Sequence, residues 1–317
     1  MSKYQEINLQ GQKKYSLSER ESKVDRKSFF QPGESSGLNS FISRLPDILQ
    51  AKGFKELLDH CTKAFQRGKP IITALGGHIV KCGLSPLLIE MIEAKIISCL
   101  AGNGSVAIHD FELALAGKTS EDVDKALIDG TFGMAKETGE YFNRAIIKAA
   151  EERLGFGEGL GNYLKGITPP YSSLSLLAKA YEADVPFTIH VALGTDIVHQ
   201  HKEADGAAIG ECSLRDFRIL CEQVRDLNDG GVFLNLGSAV IMPEVFLKAV
   251  TVVRNLGYPL DNFYTAVFDM NLHYRPRVNV VQRPTQNGGQ GYYFVGHHEI
   301  MLPLFFSALQ ERIIRHA

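Results

Sequence analysis

The sequence contains no tryptophan, and its five cysteines, Cys61, Cys82, Cys99, Cys212 and Cys221, form neither a CxxC pair nor a zinc spacing. That excludes a disulfide framework and a structural zinc finger. An odd number of cysteines without metal spacing, Cys99 and Cys221 lying in apolar segments, fits reduced thiols in the cytoplasm. Net charge is only −2 over 317 residues, so the basic face that a nucleic-acid partner requires is missing. No apolar run approaches the roughly 20 residues of a membrane span. The N-terminal stretch MSKYQEINLQGQKKYSLSERESKVDRKSFF is charged throughout and lacks the apolar segment of a signal peptide. Lysine is absent after Lys248. What remains, 44% hydrophobic and 22% charged, is an ordinary globular composition.

Residues 1–40 are polar and read as an arm, mobile or wrapped onto a neighbour, while 41–317 read as one α/β domain. Short apolar runs predict strands at 71–75 (IITAL), 96–101 (IISCLA), 185–193 (VPFTIHVAL), 231–236 (GVFLNL), 264–269 (YTAVFD) and 292–295 (YYFV). Helices are predicted at 85–95 behind Ser85-Pro86, in two pieces over 120–154, and at 172–182, 213–227 and 243–255. A final helix starts at Glu299, and the glycine-rich GFGEGLG after Leu154 reads as a break. Continuous apolar strands alternating with helices mean an α/β fold with a parallel sheet covered on both faces.

In such a sheet ligands bind in the loops at the carboxyl ends of the strands. That rule selects 76–83 (GGHIVKCG), 102–110 (GNGSVAIHD), 194–201 (GTDIVHQH), 237–243 (GSAVIMP) and 296–299 (GHHE). Small residues there let backbone N–H groups approach a phosphate or a nicotinamide amide. The GxGxxG dinucleotide fingerprint does not follow the first strand.

In this order of loops the chain resembles the deoxyhypusine synthase family over most of 68–310. The resemblance runs through ALGGHIVKCGLSPLLIEMIEAKIISCLAGNGSVAIHDFELAL, LLAKAYEADVPFTIHVALGTDIVHQH, FLNLGSAVIMPEV and YTAVFDMN…QRPTQNGGQGYYFVGHHEIMLPLFF. It implies a Rossmann-like fold, NAD as cofactor, a homotetramer or homodimer, and transfer of an aminobutyl group from a polyamine to a lysine of a translation factor. On that basis the cofactor contacts are Gly76, Gly77, Gly102, Asn103, Gly104, Ser105, His109, Asp110, Gly237, Ser238, Asn271 and His297. The departures fall on the chemistry. Where the family has its imine-forming lysine, nine residues after the Arg of an Arg-Pro pair, this chain has Tyr292. The histidine of the family's glycine loop falls on Pro243, and two ammonium-binding carboxylates fall on Asn279 and Gln286. An amide binds a cation far more weakly than a carboxylate does, and a phenol forms no imine.

The expected catalytic group is therefore Tyr292, His190, Asp196 and Gln286, with Arg283–Glu299 (RPTQNGGQGYYFVGHHE) forming the substrate side of the site. Several of these residues have a plainer reading. Asp110 equally suits a helix N-cap, His190 a core position, and Tyr292 with Tyr293 a sheet-packing pair. His199 and His201 with Asp196 make a weak metal pattern and read as surface residues, so no metal is expected. The function implied is an NAD-dependent transferase of alkyl or aminoalkyl groups acting on a small molecule, an amine among the candidates, with neither nucleic acid nor membrane as partner. The alternative is a non-catalytic NAD-binding relative, and a true deoxyhypusine synthase is the third reading.

Overall fold

The computed structural model describes residues 2–316. Six strands form where the apolar runs lie: β1 Ile71–Leu75, β2 Cys99–Asn103, β3 Phe187–His190, β4 Val232–Leu236, β5 Tyr264–Asp269 and β6 Gln290–Val295. All pairs are parallel, in the order β3-β2-β1-β4-β5-β6. That is the doubly wound order, whose direction of winding reverses between β1 and β4. Alternate residues of β1 serve the two faces. Ile71 and Leu75 join the core under the helices Leu49–Gln66 and His298–His316, whereas Ile72 and Ala74 join Phe233, Phe246 and Val267 on the other side. Phe233 of β4 stacks on Phe246 of the helix Ile241–Asn255, with ring centroids 3.7 Å apart. No helix among the described residues is long and apolar enough to cross a membrane.

Three helix boundaries differ from expectation, each for a local reason. The loop predicted over 102–110 is instead the start of a helix, Gly104–Ala116, because Asn103 accepts from the Val106 N–H as its N-cap. The predicted break GFGEGLG is the first half of the helix Phe156–Ile167. Its glycines are there for packing, since a Cβ on Gly157 would overlap the Phe187 carbonyl oxygen of β3. The helix expected from Ser213 begins earlier, at Gly206, where Asp205 accepts from the N–H groups of Ala207 and Ala208. Ser213 instead ties the end of β3, donating to Ile189 O and accepting from the Val191 N–H.

The arm carries only the short turns Leu17–Glu19 and Arg26–Ser28 before the first helix at Leu38–Ser43, and its Tyr4 and Tyr15 are exposed. The stretch Arg283–Gly289 precedes β6, so in a parallel sheet it lies at the amino end, opposite the ligand-binding loops. Gly288, at φ 84°, folds the chain back on Asn262, whose N–H donates to Asn287 O at 3.0 Å. Its glycines make a tight turn.

Candidate active site

At the switch point the glycines that end β1 and β4 extend the sheet by one residue. The Gly76 N–H donates to Leu236 O at 2.8 Å, and the Gly237 N–H donates to Phe268 O at 2.9 Å. A Cβ on Gly76 would overlap Gly237 O, and a Cβ on Gly237 would lie 3.1 Å from the His298 ring. His298, 1% exposed, is bonded through Nε2 to Phe268 O at 3.2 Å, and burial lowers its pKa. Gly77 packs on Ser105, while Ser238 Oγ accepts from the Met242 N–H to start the helix Ile241–Asn255. These glycines serve loop-on-loop contact at the switch point.

The open space lies beside it, at the carboxyl ends of β2 and β3, as a cavity of about 630 Å³. Its floor is the helix Gly104–Ala116, from Ser105 to Ala116. The Asp196 carboxyl sits against Gly104, so tightly that a Cβ there would overlap it. The carboxyl therefore lies on the positive end of a four-turn helix, which favours its anion. Burial outweighs that and raises the Asp196 pKa to about 6. One turn along, His109 Nδ1 is 2.8 Å from Thr119 Oγ1, and Thr119 and Thr138 both donate to the Glu112 carboxylate. Since the Thr119 proton goes to Glu112, its oxygen accepts from His109 Nδ1–H. Nε2 is left as an acceptor. Burial, helped by Lys81, lowers the His109 pKa to about 4. At neutral pH the cavity therefore holds a carboxylate that takes up a proton near pH 6 and a permanently neutral imidazole. Separated titrations of this kind mark acid–base sites. Glu112, Glu121, Glu137 and Asp196 line it against Lys81 and Lys118, a net negative wall that suits a cationic ligand.

The other sequence-derived candidates do not gather here. Asp110 is fully buried and accepts from Ser175 Oγ (2.6 Å), Leu176 N (2.7 Å) and Leu177 N (3.0 Å). It caps the helix Leu176–Glu182 rather than its own, and burial raises it to about 6. Gly102 packs on Val106 inside β2. His190 opens on the opposite face of the sheet, with Nε2 on Thr188 Oγ1 at 3.0 Å. Asn271 is exposed and its carbonyl accepts from Tyr293 Oη. His297 is exposed beside Glu299, whereas its neighbour His298 is the buried one. Gln286 is exposed at the amino end of the sheet. His199 Nδ1 accepts from the Gly194 and Asp196 N–H groups, and His201 is bonded to Gly133 O, so both hold turns.

Tyr292 stands in mid-strand under the helix Leu49–Gln66, its hydroxyl 3.3 Å from Glu56. Burial and Glu56 push its phenol upward, away from proton transfer at neutral pH. The catalytic role assigned to it gives way to sheet packing. Tyr292→Phe is accordingly expected to leave any turnover unchanged and to cost no more than about 1 kcal/mol in urea unfolding. Sequence reasoning missed Glu112, Thr119 and Thr138. Only the His109–Glu112 spacing, three residues on one helix face, signalled them.

No family model matches the chain, and no curated protein matches it in sequence. Solved structures do. A deoxyhypusine synthase candidate from Entamoeba histolytica aligns over 86% of this chain and 92% of its own, with TM-score 0.53 and 11% identity. The fold is Rossmann-like, of the deoxyhypusine synthase type. AgrE, solved as a ternary complex with ornithine and NAD+, aligns over 84% of this chain but 33% of its own, with TM-score 0.51 and 12% identity. The chain thus spans about a third of AgrE. At these identities the likeness is one of fold.

Proposed function

We propose that the protein is an enzyme that acts on a small cationic amine in the β2–β3 cavity, with Asp196 as general base. The observation that carries this reading is the Asp196 carboxyl, raised to about 6, on the N-terminus of Gly104–Ala116, in the cavity that the neutral His109 also lines. The acidic wall attracts the ammonium group, and the Asp196 carboxylate takes one of its protons. The freed nitrogen lone pair is then available as a nucleophile, with no enzyme imine involved. His109 Nε2 accepts from a hydroxyl or amide of the substrate and orients it. The lysines that line the cavity, Lys81 and Lys118, are exposed, and the position of the family's imine lysine is the buried Tyr292.

A second reading, an NAD-dependent alkyl or aminoalkyl transferase or a non-catalytic NAD-binding relative, is favoured by the strand order and by the NAD+ complex of AgrE. The residues present do not fit a pyrophosphate. The Gly76 and Gly237 loops touch each other, and the Gly104 helix terminus already faces a carboxyl group. Assembly of copies through the carboxyl edge, as homodimer or homotetramer, is supported by the exposed Leu193, Leu272, Tyr274 and Ile300 along it.

Two measurements separate the readings. Aliphatic diamines and amino acids with a side-chain amine, incubated with the protein and followed by mass, are expected to give a product that Asp196→Asn abolishes. Calorimetric titration with NAD is expected to show no binding below about 1 mM to the wild type. Micromolar NAD binding that tightens in Asp196→Asn, where the carboxylate no longer competes with phosphate, would overturn the first reading in favour of the second.

A further inference from the structure

The sheet has two edges, β3 and β6, and the protein treats them differently. At β3 the Leu100 N–H of β2 donates to Pro186 O, so Ile189 and Val191 turn their backbone groups outward. The helix Gly206–Arg225 takes them up. The Ile189 N–H donates to Asp216, the Val191 N–H donates to Ser213 Oγ, and Ser213 Oγ donates to Ile189 O. Gly157 presses on Phe187 O so closely that a Cβ there would overlap it. These contacts close that edge to another strand.

The β6 edge has no such cover. The Gly296 N–H donates to Asp269 O, so the alternate residues Gly291, Tyr293 and Val295 turn N–H and C=O away from β5. None of those groups has a hydrogen-bond partner among the described residues. The faces of the strand are packed, with Gly53 against the Tyr292 ring and Val281 against Gly291, so it is the rim that is open. Edge strands are ordinarily blunted by charge, proline, a bulge or a covering element. Gln290–Val295 (QGYYFV) has neither charge nor proline, is rich in strand-forming aromatic residues, and pairs with β5 without a bulge.

We propose that β6 is a docking edge for a second copy of this chain, the two β6 strands pairing antiparallel about a two-fold axis at Tyr293. Tyr293 then faces its own copy and Gly291 faces Val295, so each outward N–H of one strand meets an outward carbonyl of the other. A strand without charge can face itself with no like charges opposed, and a two-fold contact closes at a dimer. Paired backbones alone fall short of the roughly 1,200 Å² that a stable interface buries. Leu272, Tyr274, Val295 and Ile300, each 56–65% exposed, add apolar surface at the carboxyl end of the same edge, where Tyr293 Oη holds the 271–273 loop. The contact gives a geometry to the assembly of copies read from those residues. It rests on that reading and is independent of amine turnover.

Sedimentation of the full chain is expected to show a monomer–dimer equilibrium. Hydrogen exchange at the Gly291, Tyr293 and Val295 amides should slow at least about tenfold in the dimer, while the Ile189 and Val191 amides stay protected at every concentration. Val295→Pro removes an outward N–H and sets a ring in the path of the incoming strand. It should weaken dimerisation at least about tenfold, the worth of one hydrogen bond. These results would support the proposal whether or not any amine is turned over. A chain that stays monomeric at about 100 μM would overturn it. So would a dimer whose three β6 amides exchange freely, a measurement on the wild type that does not depend on the variant folding.

Discussion

Replacing Asp216 by alanine is expected to cost about 3–5 kcal/mol of stability. Asp216 belongs to the helix Gly206–Arg225, is 1% exposed, and binds two other elements at once. Its Oδ2 accepts from the Ile189 N–H of β3 at 2.6 Å and from the Gly157 N–H, in the first turn of Phe156–Ile167, at 3.0 Å. Removing the carboxyl orphans both donors in a dry interior, at about 1–3 kcal/mol each, and opens a cavity. Asp216→Asn keeps the shape and one acceptor, and should fall between the two. Urea unfolding at pH 7 measures both, and a loss below about 1 kcal/mol for Asp216→Ala would show that the three elements hold together without it.

The same residue sets a pH trend. Burial pushes the Asp216 carboxyl up to about 7 from an ordinary 3.8, although the Ile189, Gly157 and Phe156 N–H groups pull it back. A folded-state value above the unfolded one means that the native state holds the proton more tightly. The group's contribution is complete below about pH 4 and is lost as the pH rises through about 7. Asp110 and Asp196, each near 6, act in the same direction. Stability should therefore fall between about pH 4 and 7, and the slope should flatten in Asp216→Asn.

The sheet was legible because burial on both faces leaves a plain mark. IITAL and YTAVFD are strands from first residue to last. Glycine was the ambiguous letter. In GFGEGLG it reports a helix pressed against β3, and in QNGGQG a turn at the wrong end of the sheet for ligand binding. In both, tertiary contact overrides the local preference that a sequence reading relies on. Asp110 shows the same limit. An aspartate after a strand reads as an N-cap or a ligand contact, but the helix it caps lies 66 residues further along the chain. Asp196 was legible as a loop residue at the carboxyl end of β3, yet its place against Gly104, and that of His109 within the Thr119–Glu112 network, depends on a helix that the sequence concealed behind Asn-Gly-Ser.

Asp196→Asn is expected to reduce turnover of the amine substrate by about 10²–10⁴, the usual worth of a positioned general base. Asparagine keeps the shape against Gly104 and so should leave the fold intact, but it cannot take up a proton. The pH profile carries the stronger test. With the base near 6, kcat/KM should rise with pH and level off above about 7, and that limb should vanish in the variant. His109, near 4, stays neutral over that range and adds no limb of its own. His109→Gln, which keeps an acceptor beside Thr119, should raise KM more than it lowers kcat. A falling limb between pH 6 and 7 that His109→Gln removes would mean that the imidazolium is the working acid. The division of roles between the two residues would then be reversed.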